Sequence, residues 1–240
     1  MNRPLVSFLI AAVGIGIAGA GRPSTTSRVF ETSAGNVAGT LDNKPGDDER
    51  EVVRREIRMR SSGTYISEIL LARDSALARW PDRHGEPLKV WIQPDSRLAD
   101  WHAQFVTEVN AAFESWDELH LPVRFETVTD SAEAQVHITW IDRFKEPISG
   151  RTRWARNEHY WITDANIVLA VHHRTGEILE DDAMHAMALH EIGHLLGLDH
   201  TNDPSSVMAP KVRVRELSDA DRATARLLYS LPAGSVGGAH

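Results

Sequence analysis

Three histidines, one glutamate and one glycine stand at fixed spacings in the stretch 190–200, which reads HEIGHLLGLDH. If this stretch begins as a helix, the rings of His190 and His194 lie one turn apart on one face, offset by about 40° around the axis. Glu191 lies roughly 100° further around, too far to be an equivalent ligand but close enough to touch a water on a shared metal ion. The residue types and their spacing therefore predict two nitrogen ligands and a general base on one helix.

The third histidine can reach the same ion only if the helix ends before it. His200 follows His194 by six residues, so on a continuous helix it would point about 120° away from the ligand face. Gly197 lies between them, and glycine adopts the left-handed conformation that ends helices. Three neutral imidazoles with an open fourth position are typical of a catalytic zinc site, and the chain has no cysteine with which to close it.

This stretch resembles the zinc-binding motif of the metzincin metalloproteases, HExxHxxGxxH. Those enzymes also carry a methionine-containing turn beneath the zinc, and residues 205–210, with Met208 as the turn methionine, are similar to it. Thr201 after the third histidine and the short gap to Met208 resemble the matrixin branch of the family, in its bacterial form. The resemblance is strong over 181–232 and rests on the order of elements over 80–180.

The resemblance implies a zinc-dependent endopeptidase that uses one catalytic zinc ion. The three histidines would hold the ion, a water bound to it would attack the peptide carbonyl, and Glu191 would act as the catalytic general base. Gly197, which ends the helix, and Met208, which lies under the metal, would support the site. The expected partner is an extended peptide or protein substrate, and the chain is taken as a monomer.

Rival functions from other classes stay open at this stage. A catalytically silent metzincin-like binding protein would be expected to carry a damaged site, yet all three histidines and Glu191 are intact. A zinc hydrolase acting on a non-peptide amide would need the same residues. A metal-sequestering surface protein predicts several weak zinc sites in place of one tight site.

The composition favours an exported protein without a nucleic-acid partner. Hydrophobic residues make up 42% of the 240, enough for a sizeable core, and the formal charge of −8 argues against binding nucleic acid. Arg3, an apolar run over 5–17 and the sequence Ala-Gly-Ala at 18–20 predict a signal peptide over residues 1–20. We therefore expect a secreted or periplasmic protein with no stable membrane insertion after cleavage, the alternative being an uncleaved N-terminal anchor.

The chain divides into four parts by composition. After the signal peptide, residues 21–79 combine a flexible linker with a helical segment, which is either a removable pro-segment or part of the mature chain. Helical spacing of apolar residues over 64–79 predicts an amphipathic helix there. Residues 80–232 form the metzincin-type catalytic domain, and 233–240 a flexible tail. Many matrixins are kept latent by a pro-segment cysteine on the zinc, and the absence of cysteine excludes that device.

Within the catalytic domain, hydrophobic periodicity predicts an α+β fold. The predicted elements are a strand at 88–92, a helix at 98–119, strands at 123–128, 135–141, 150–154 and 165–171, a helix from Asp181 or Asp182 to about Leu196, and a helix capped by Ser218 and Asp221. The run 165–171 is nearly all apolar, which predicts a strand covered on both faces. The resemblance implies a zincin-like fold, in which a twisted, mostly parallel sheet with two long helices is followed by a small C-terminal subdomain with the methionine turn and one helix. It also makes 150–154 the edge strand along which an extended substrate would lie.

Accessory metals are not expected. Animal matrixins hold a structural zinc with a His-x-Asp pair, and residues 142–171 contain none, so we expect no such zinc although His159, His172 and His173 are nearby. Calcium at surface carboxylates such as Asp164 or Asp182 stays open as an alternative, but nothing in the sequence supports it, because isolated surface acids are usually only solvated. His185 lies off the ligand face and is expected to be exposed, and His137 is expected to lie on a strand.

Overall fold

The computed structural model describes residues 47–73, 75–83, 85–232 and 234–235. The predicted signal peptide and the predicted linker up to residue 46 lie outside the described residues. The helices are α1 (Asp47–Arg60), α2 (Ile66–Ala72), α3 (Gln104–Asp117), α4 (Asp181–Leu195) and α5 (Asp219–Ser230). The strands are β1 (Ala76–Leu77), β2 (Leu88–Ile92), β3 (Phe125–Val128), β4 (Val136–Ile141), β5 (Gly150–Arg156), β6 (Ile162–Ala170) and β7 (Gly234–Ser235).

Five strands form one sheet in the order β3-β2-β4-β6-β5. The first four run parallel, and β5 is antiparallel to β6 at the edge. Register pairs Val90 with Val136 and Ile138 with Ile167, so the inward-facing side chains of neighbouring strands stand in rows. The mostly parallel sheet and the α+β class are as predicted, and β5 begins at Gly150, where the edge strand was expected.

The core lies between one face of this sheet and the helices α3 and α4, which pack against each other. The predicted helical spacing in α3 buries Phe105, Val109 and Trp116, and the Trp116 indole donates to the Leu189 carbonyl at 3.0 Å. The other face of the sheet is more open. Asn166 on β6 is exposed and Val168 is only partly buried there, so the prediction that this strand is covered on both faces is wrong.

Several predicted helix ends differ from the structure. The long helix begins at Gln104, and the amphipathic helix expected over 64–79 is only α2, which ends at Ala72 before Ser75 takes a positive φ of 61°. Neither Asp181 nor Asp182 caps α4, since the N-cap is Glu180 and no side chain accepts a capping hydrogen bond.

The C-terminal subdomain consists of the turn around Met208 and α5. Ser218 and Asp221 form the predicted capping box of α5, with the Ser218 hydroxyl accepting from the Asp221 amide at 3.1 Å. Gly234–Ser235, in the segment predicted to be a flexible tail, forms β7 and pairs antiparallel with β1. The segment that precedes the main sheet therefore lies beside the segment that follows α5.

Candidate metal centre

The three histidines of the motif converge on one point. Nε2 of His190 lies 3.0 Å from Nε2 of His194 and 3.3 Å from Nε2 of His200. His190 and His194 are fully buried on α4, whereas His200 stands on the following loop and is partly accessible. The predicted grouping of two helix residues with one loop residue is present.

Gly197 makes this grouping sterically allowed. Its φ of 98° is the left-handed conformation that ends α4, as predicted. A Cβ atom at this position would collide with the carbonyl oxygen of Ala78, so the chain has no room for any side chain here. Beyond it, the Leu198 amide donates to the Gly193 carbonyl at 2.9 Å, and the loop returns toward the helix.

Backbone carbonyls orient two of the rings. Nδ1 of His190 donates to the Val207 carbonyl at 2.6 Å, and Nδ1 of His194 donates to the Leu198 carbonyl at 3.1 Å. A carbonyl can only accept, so each Nδ1 carries the proton and each Nε2 presents a lone pair to the common point.

The geometry fits a zinc ion. Ligands placed tetrahedrally about 2.0–2.1 Å from zinc are roughly 3.3–3.4 Å apart, close to the separations of the three Nε2 atoms. The Nε2 atoms of His190 and His194 are 3.0 Å apart, and their lone pairs repel one another unless a cation lies between them. Imidazole nitrogen is also a preferred zinc ligand, so both the donor type and the spacing suit the metal.

Burial keeps these imidazoles neutral. It lowers the pKa of His190 to about 3 and also lowers the pKa of His194 and His200, chiefly because a buried cation loses its hydration. For the two helix residues, the neighbouring rings lower the pKa further. The uncharged rings are the form that binds a metal.

Glu191 lies beside this cluster and is fully buried. Its Oε2 accepts a hydrogen bond from the Thr152 hydroxyl at 2.6 Å, and Oε1 has no partner among the described residues. Burial raises the pKa of Glu191 to about 8, although the bond from Thr152 opposes the shift. Gly150 lies against the same carboxylate, because a Cβ there would collide with it. The carboxylate is thus held between α4 and the edge strand β5.

Met208, which was expected to lie under the metal, packs against α4. It is fully buried, and its sulfur lies so close to Gly193 on α4 that no side chain would fit at that position. The turn that carries Met208 is held by Asp221, which accepts from the Ser206 hydroxyl at 2.5 Å and from the Val207 amide at 3.1 Å.

Three contributors to the site escaped the sequence analysis. Thr152 was expected only as part of an edge strand, and Asp221 only as a helix cap. Asp199 lies inside the motif but received no role, although its carboxylate accepts from the His200 amide at 2.8 Å. Only Asp199 carried a usable signal, since an acid next to a metal-ligating histidine often supports it.

The other histidines considered for a second ion take different roles. Nδ1 of His172 lies 2.8 Å from Asp142 Oδ1, while its Nε2 lies 3.0 Å from Asp100 Oδ2. The two nitrogens thus face separate carboxylates. Burial lowers the pKa of the neighbouring His173. Within the described ranges, the histidine cluster of the motif is the one group of three or more His, Cys, Asp or Glu side chains that is spaced to bind a metal ion.

The remaining residues considered for accessory metals also have protein partners. His159 lies 3.6 Å from Glu158, and Asp182 forms an ion pair with Arg215. Asp164 accepts a hydrogen bond from the Asn166 side chain at 3.4 Å. Each of these contacts is a local surface interaction.

Two histidines outside the motif can be compared with their expected exposure. His137 lies on β4, with Nε2 2.9 Å from the Ser131 carbonyl oxygen. His185 was expected to be exposed but is partly buried, because Nδ1 lies 3.2 Å from the Glu108 carbonyl of α3. The packing of α3 on α4, which helical periodicity alone does not place, explains the difference.

Comparison with known proteins agrees with this geometry. The family model described as matrixin matches residues 80–230. Metalloendoproteinase 1 of Glycine max is 24% identical over 161 residues, which cover 58% of this chain and 49% of the relative. Metalloendoproteinase 1-MMP of Arabidopsis thaliana is 30% identical over 126 residues, which cover 45% of this chain and 32% of the relative. The chain therefore spans about half of the first relative and about a third of the second.

Proposed function

Since the chain belongs to the matrixin family, we propose that it is an exported zinc-dependent endopeptidase whose metal ligands are His190, His194 and His200 and whose general base is Glu191. The observation that carries this proposal is the convergence of three Nε2 atoms beside a buried carboxylate. Both plant relatives are named as metalloendoproteinases, which supports the proposal.

A zinc ion in this cluster supplies Lewis-acid chemistry, since it lowers the pKa of water and polarises a carbonyl group. Glu191 accepts the proton of the attacking water and returns it to the leaving amine. Burial raises the pKa of Glu191, so its carboxylate accepts a proton more readily than that of an exposed glutamate. The Thr152 hydroxyl fixes the direction of that carboxylate through its bond to Oε2.

The edge strand β5 supports an extended peptide substrate. It pairs with β6 on one side, and it ends the sheet on the other, so its outer backbone groups are available to a further strand. Thr152 lies in the first half of β5 and touches Glu191, which brings that part of the strand to the reacting groups. A peptide added to this edge by main-chain hydrogen bonds would pass the catalytic carboxylate.

Export is proposed on the sequence of residues 1–20, and the proposed location is secreted or periplasmic. Among the described residues, no helix has the length and apolar character needed to cross a bilayer. We further propose that residues 80–232 are the catalytic domain, that one zinc ion is bound, and that the chain acts as a monomer.

The decisive experiment compares the purified chain with Glu191→Ala on a library of quenched peptides and on small non-peptide amides, with zinc content measured in both. We expect peptide cleavage by the wild type and none by the variant at equal zinc content. If both are inert while zinc is fully bound, the protein is a silent metzincin-like binding protein. Cleavage of the small amides alone would identify the non-peptide hydrolase.

A further inference from the structure

A buried arginine before the matrixin-like region contacts the loop between the second and third histidines. The side chain of Arg73 is only 6% exposed. Its Nε donates to Asp199 Oδ2 at 3.0 Å, Nη1 to the Gly197 carbonyl at 2.8 Å, and Nη2 to the Leu198 carbonyl at 2.9 Å. One guanidinium thus fixes three consecutive residues of the loop, using donors that all lie in one plane.

Two of these acceptors lead directly to the candidate metal ligands. The Leu198 carbonyl that receives Arg73 also receives Nδ1 of His194. The carboxylate of Asp199 accepts from Arg73 through one oxygen and from the His200 amide through the other. Arg73 is therefore one hydrogen-bonded neighbour away from two of the three histidines.

The same segment reaches the first histidine by another route. The Tyr65 hydroxyl donates to Asp221 Oδ1 at 3.0 Å, while Oδ2 of this aspartate accepts from the Val207 amide at 3.1 Å. The Val207 carbonyl in turn accepts from Nδ1 of His190. His194 and His200 thus have outer partners that are bonded directly to Arg73, and His190 is linked to Tyr65 through Val207 and Asp221.

Residues just after the third histidine are held by α2 as well. Glu68 accepts from the Thr201 hydroxyl at 3.0 Å and from the Asn202 amide at 2.9 Å. The loop is therefore bound to residues 65–73 both before and after His200. We name residues 65–73 the support segment.

From these contacts we infer that the support segment is a permanent outer layer of the metal centre, retained in the active protein, and that Arg73 is a positioning residue for His194 and His200. This inference rests on the proposed function only in taking the three histidines as the metal ligands. It also answers the question that the sequence left open. The segment is bonded to the partners of His194 and His200 and, through Asp221, to the partner of His190, so it cannot be removed as a pro-segment without loosening the site.

The physical basis is the cost of leaving polar groups unpaired. Without the guanidinium, the Asp199 carboxylate and two loop carbonyls lose a buried charged donor, and the loop must shift to reach water. Such a shift moves His200 relative to the rigid pair on α4. Loss of outer partners of metal-ligating histidines typically weakens metal binding by about 10- to 100-fold.

The test measures zinc affinity by chelator competition, with no substrate present, for the full chain and for Arg73→Ala. We expect zinc binding to weaken by about 10- to 100-fold. The visible spectrum of the cobalt-substituted protein should change as well, because it reports the geometry around the ion.

Arg79→Ala is the matched control. Arg79 is also 6% exposed and ion-paired, to Asp82 at 2.7 Å, and its Nε donates to the Leu231 carbonyl at 2.9 Å, away from the cluster. We expect this variant to lower Tm but to leave zinc affinity within about twofold of wild type and the cobalt spectrum unchanged. Equal weakening by both variants, or wild-type affinity in Arg73→Ala, would overturn the inference.

Two further variants cover failure of Arg73→Ala to fold. Asp199→Asn keeps an acceptor for the His200 amide but removes the charge that pairs with Arg73, and Arg73→Lys keeps the charge but loses the planar set of donors. Both should weaken zinc binding by less than Arg73→Ala would, and unchanged affinity in both would sink the inference.

Retention of the segment is tested by sequencing the N-terminus of the mature, zinc-loaded protein. A mature chain that starts at or before Tyr65 supports the inference, and one that starts later but binds zinc as tightly as the full chain contradicts it. A chain that needs Arg73 for zinc but cleaves no peptide would overturn the proposed function and leave this inference standing.

Discussion

The two halves of the histidine cluster are held in different ways. His190 and His194 stand on α4, whose backbone hydrogen bonds and burial against the sheet fix them within one element. His200 stands on a loop with no regular backbone pairing of its own, and its position depends on partners far away in sequence. One of these is Arg73, whose bond to Asp199 spans 126 residues.

This difference shows why a metal motif can be compact in sequence and still need a large structure. His190 and His194 require only helical spacing in the sequence and a helix face that is buried. The loop half requires Gly197 to turn the chain and distant donors to hold it once it has turned. Variants that act on one half and spare the other are therefore the sharpest probes of the site.

The largest effect is expected from removing a ligand of the helical half. His194→Ala should abolish the tight zinc site and all peptide cleavage, since two remaining imidazoles cannot hold the ion. His185→Ala, on the same helix but away from the cluster, is the control and should keep one zinc per chain by metal analysis. Several weak sites that survive His194→Ala would instead indicate a metal-sequestering protein.

The next largest effect concerns the glycine that joins the two halves. Gly197→Ala places a Cβ at a φ of 98° and against the Ala78 carbonyl. We expect the variant to lose roughly 2–4 kcal/mol of unfolding free energy in denaturant titrations, combining left-handed strain and steric overlap.

Gly85→Ala separates these two causes. Gly85 has a φ of 96°, but a Cβ there would meet nothing within 4 Å. This variant should lose only about 1–2 kcal/mol, the strain alone, and should bind zinc normally. Equal destabilisation by the two substitutions would show that the contact with Ala78 relaxes freely.

What could be predicted from the sequence follows the same division. The helical ligands and Gly197 were predicted because spacing within one element carries the signal, whereas Met208 was implied by the family resemblance. The strands β2 and β4 were also predictable, since alternation marks them clearly, whereas their parallel order was implied by the family resemblance. These features depend on neighbours in the chain.

The features that were missed depend on pairings between distant elements. Arg73 and Asp199 are ordinary polar residues in the sequence, and only the fold brings them to 3.0 Å. Asp181 and Asp182 were expected to cap α4, yet their carboxylates face His102 and Arg215 instead. Local propensity placed the helix correctly but could not identify the partners of its side chains.

A smaller effect is expected where the helical half meets the edge strand. Thr152→Val keeps the shape of the side chain but removes the hydroxyl that donates to Glu191. We expect kcat to fall by about 10-fold, the worth of one buried bond to a charged group, with zinc affinity unchanged. Because this bond lowers the pKa of Glu191, its loss should move the acid limb of the kcat/KM profile to higher pH.

Thr163→Val is the control for this prediction. Thr163 lies on the neighbouring strand β6, and its hydroxyl lies 3.4 Å from the Ala155 carbonyl, away from Glu191. Its steady-state kinetics should match those of the wild type. A parallel fall in zinc affinity and kcat for Thr152→Val would mean that Thr152 supports the fold of the site and does not orient the base.

The smallest effect is expected for the pH dependence of stability near neutral pH in the chelator-treated protein. There, Glu191 and the three histidines change the stability in opposite directions. Glu191 has a raised pKa of about 8, so the folded chain binds its proton first, and stability rises as pH falls through that value. The three histidines have lowered pKa values, so below about pH 6.5 the unfolded chain takes up more protons and stability falls. Denaturant titrations should therefore show a shallow maximum of the unfolding free energy at about pH 7. Glu191→Gln should remove the fall in stability above that maximum but keep the fall in stability at acid pH. If stability still falls at alkaline pH in this variant, another group causes that fall.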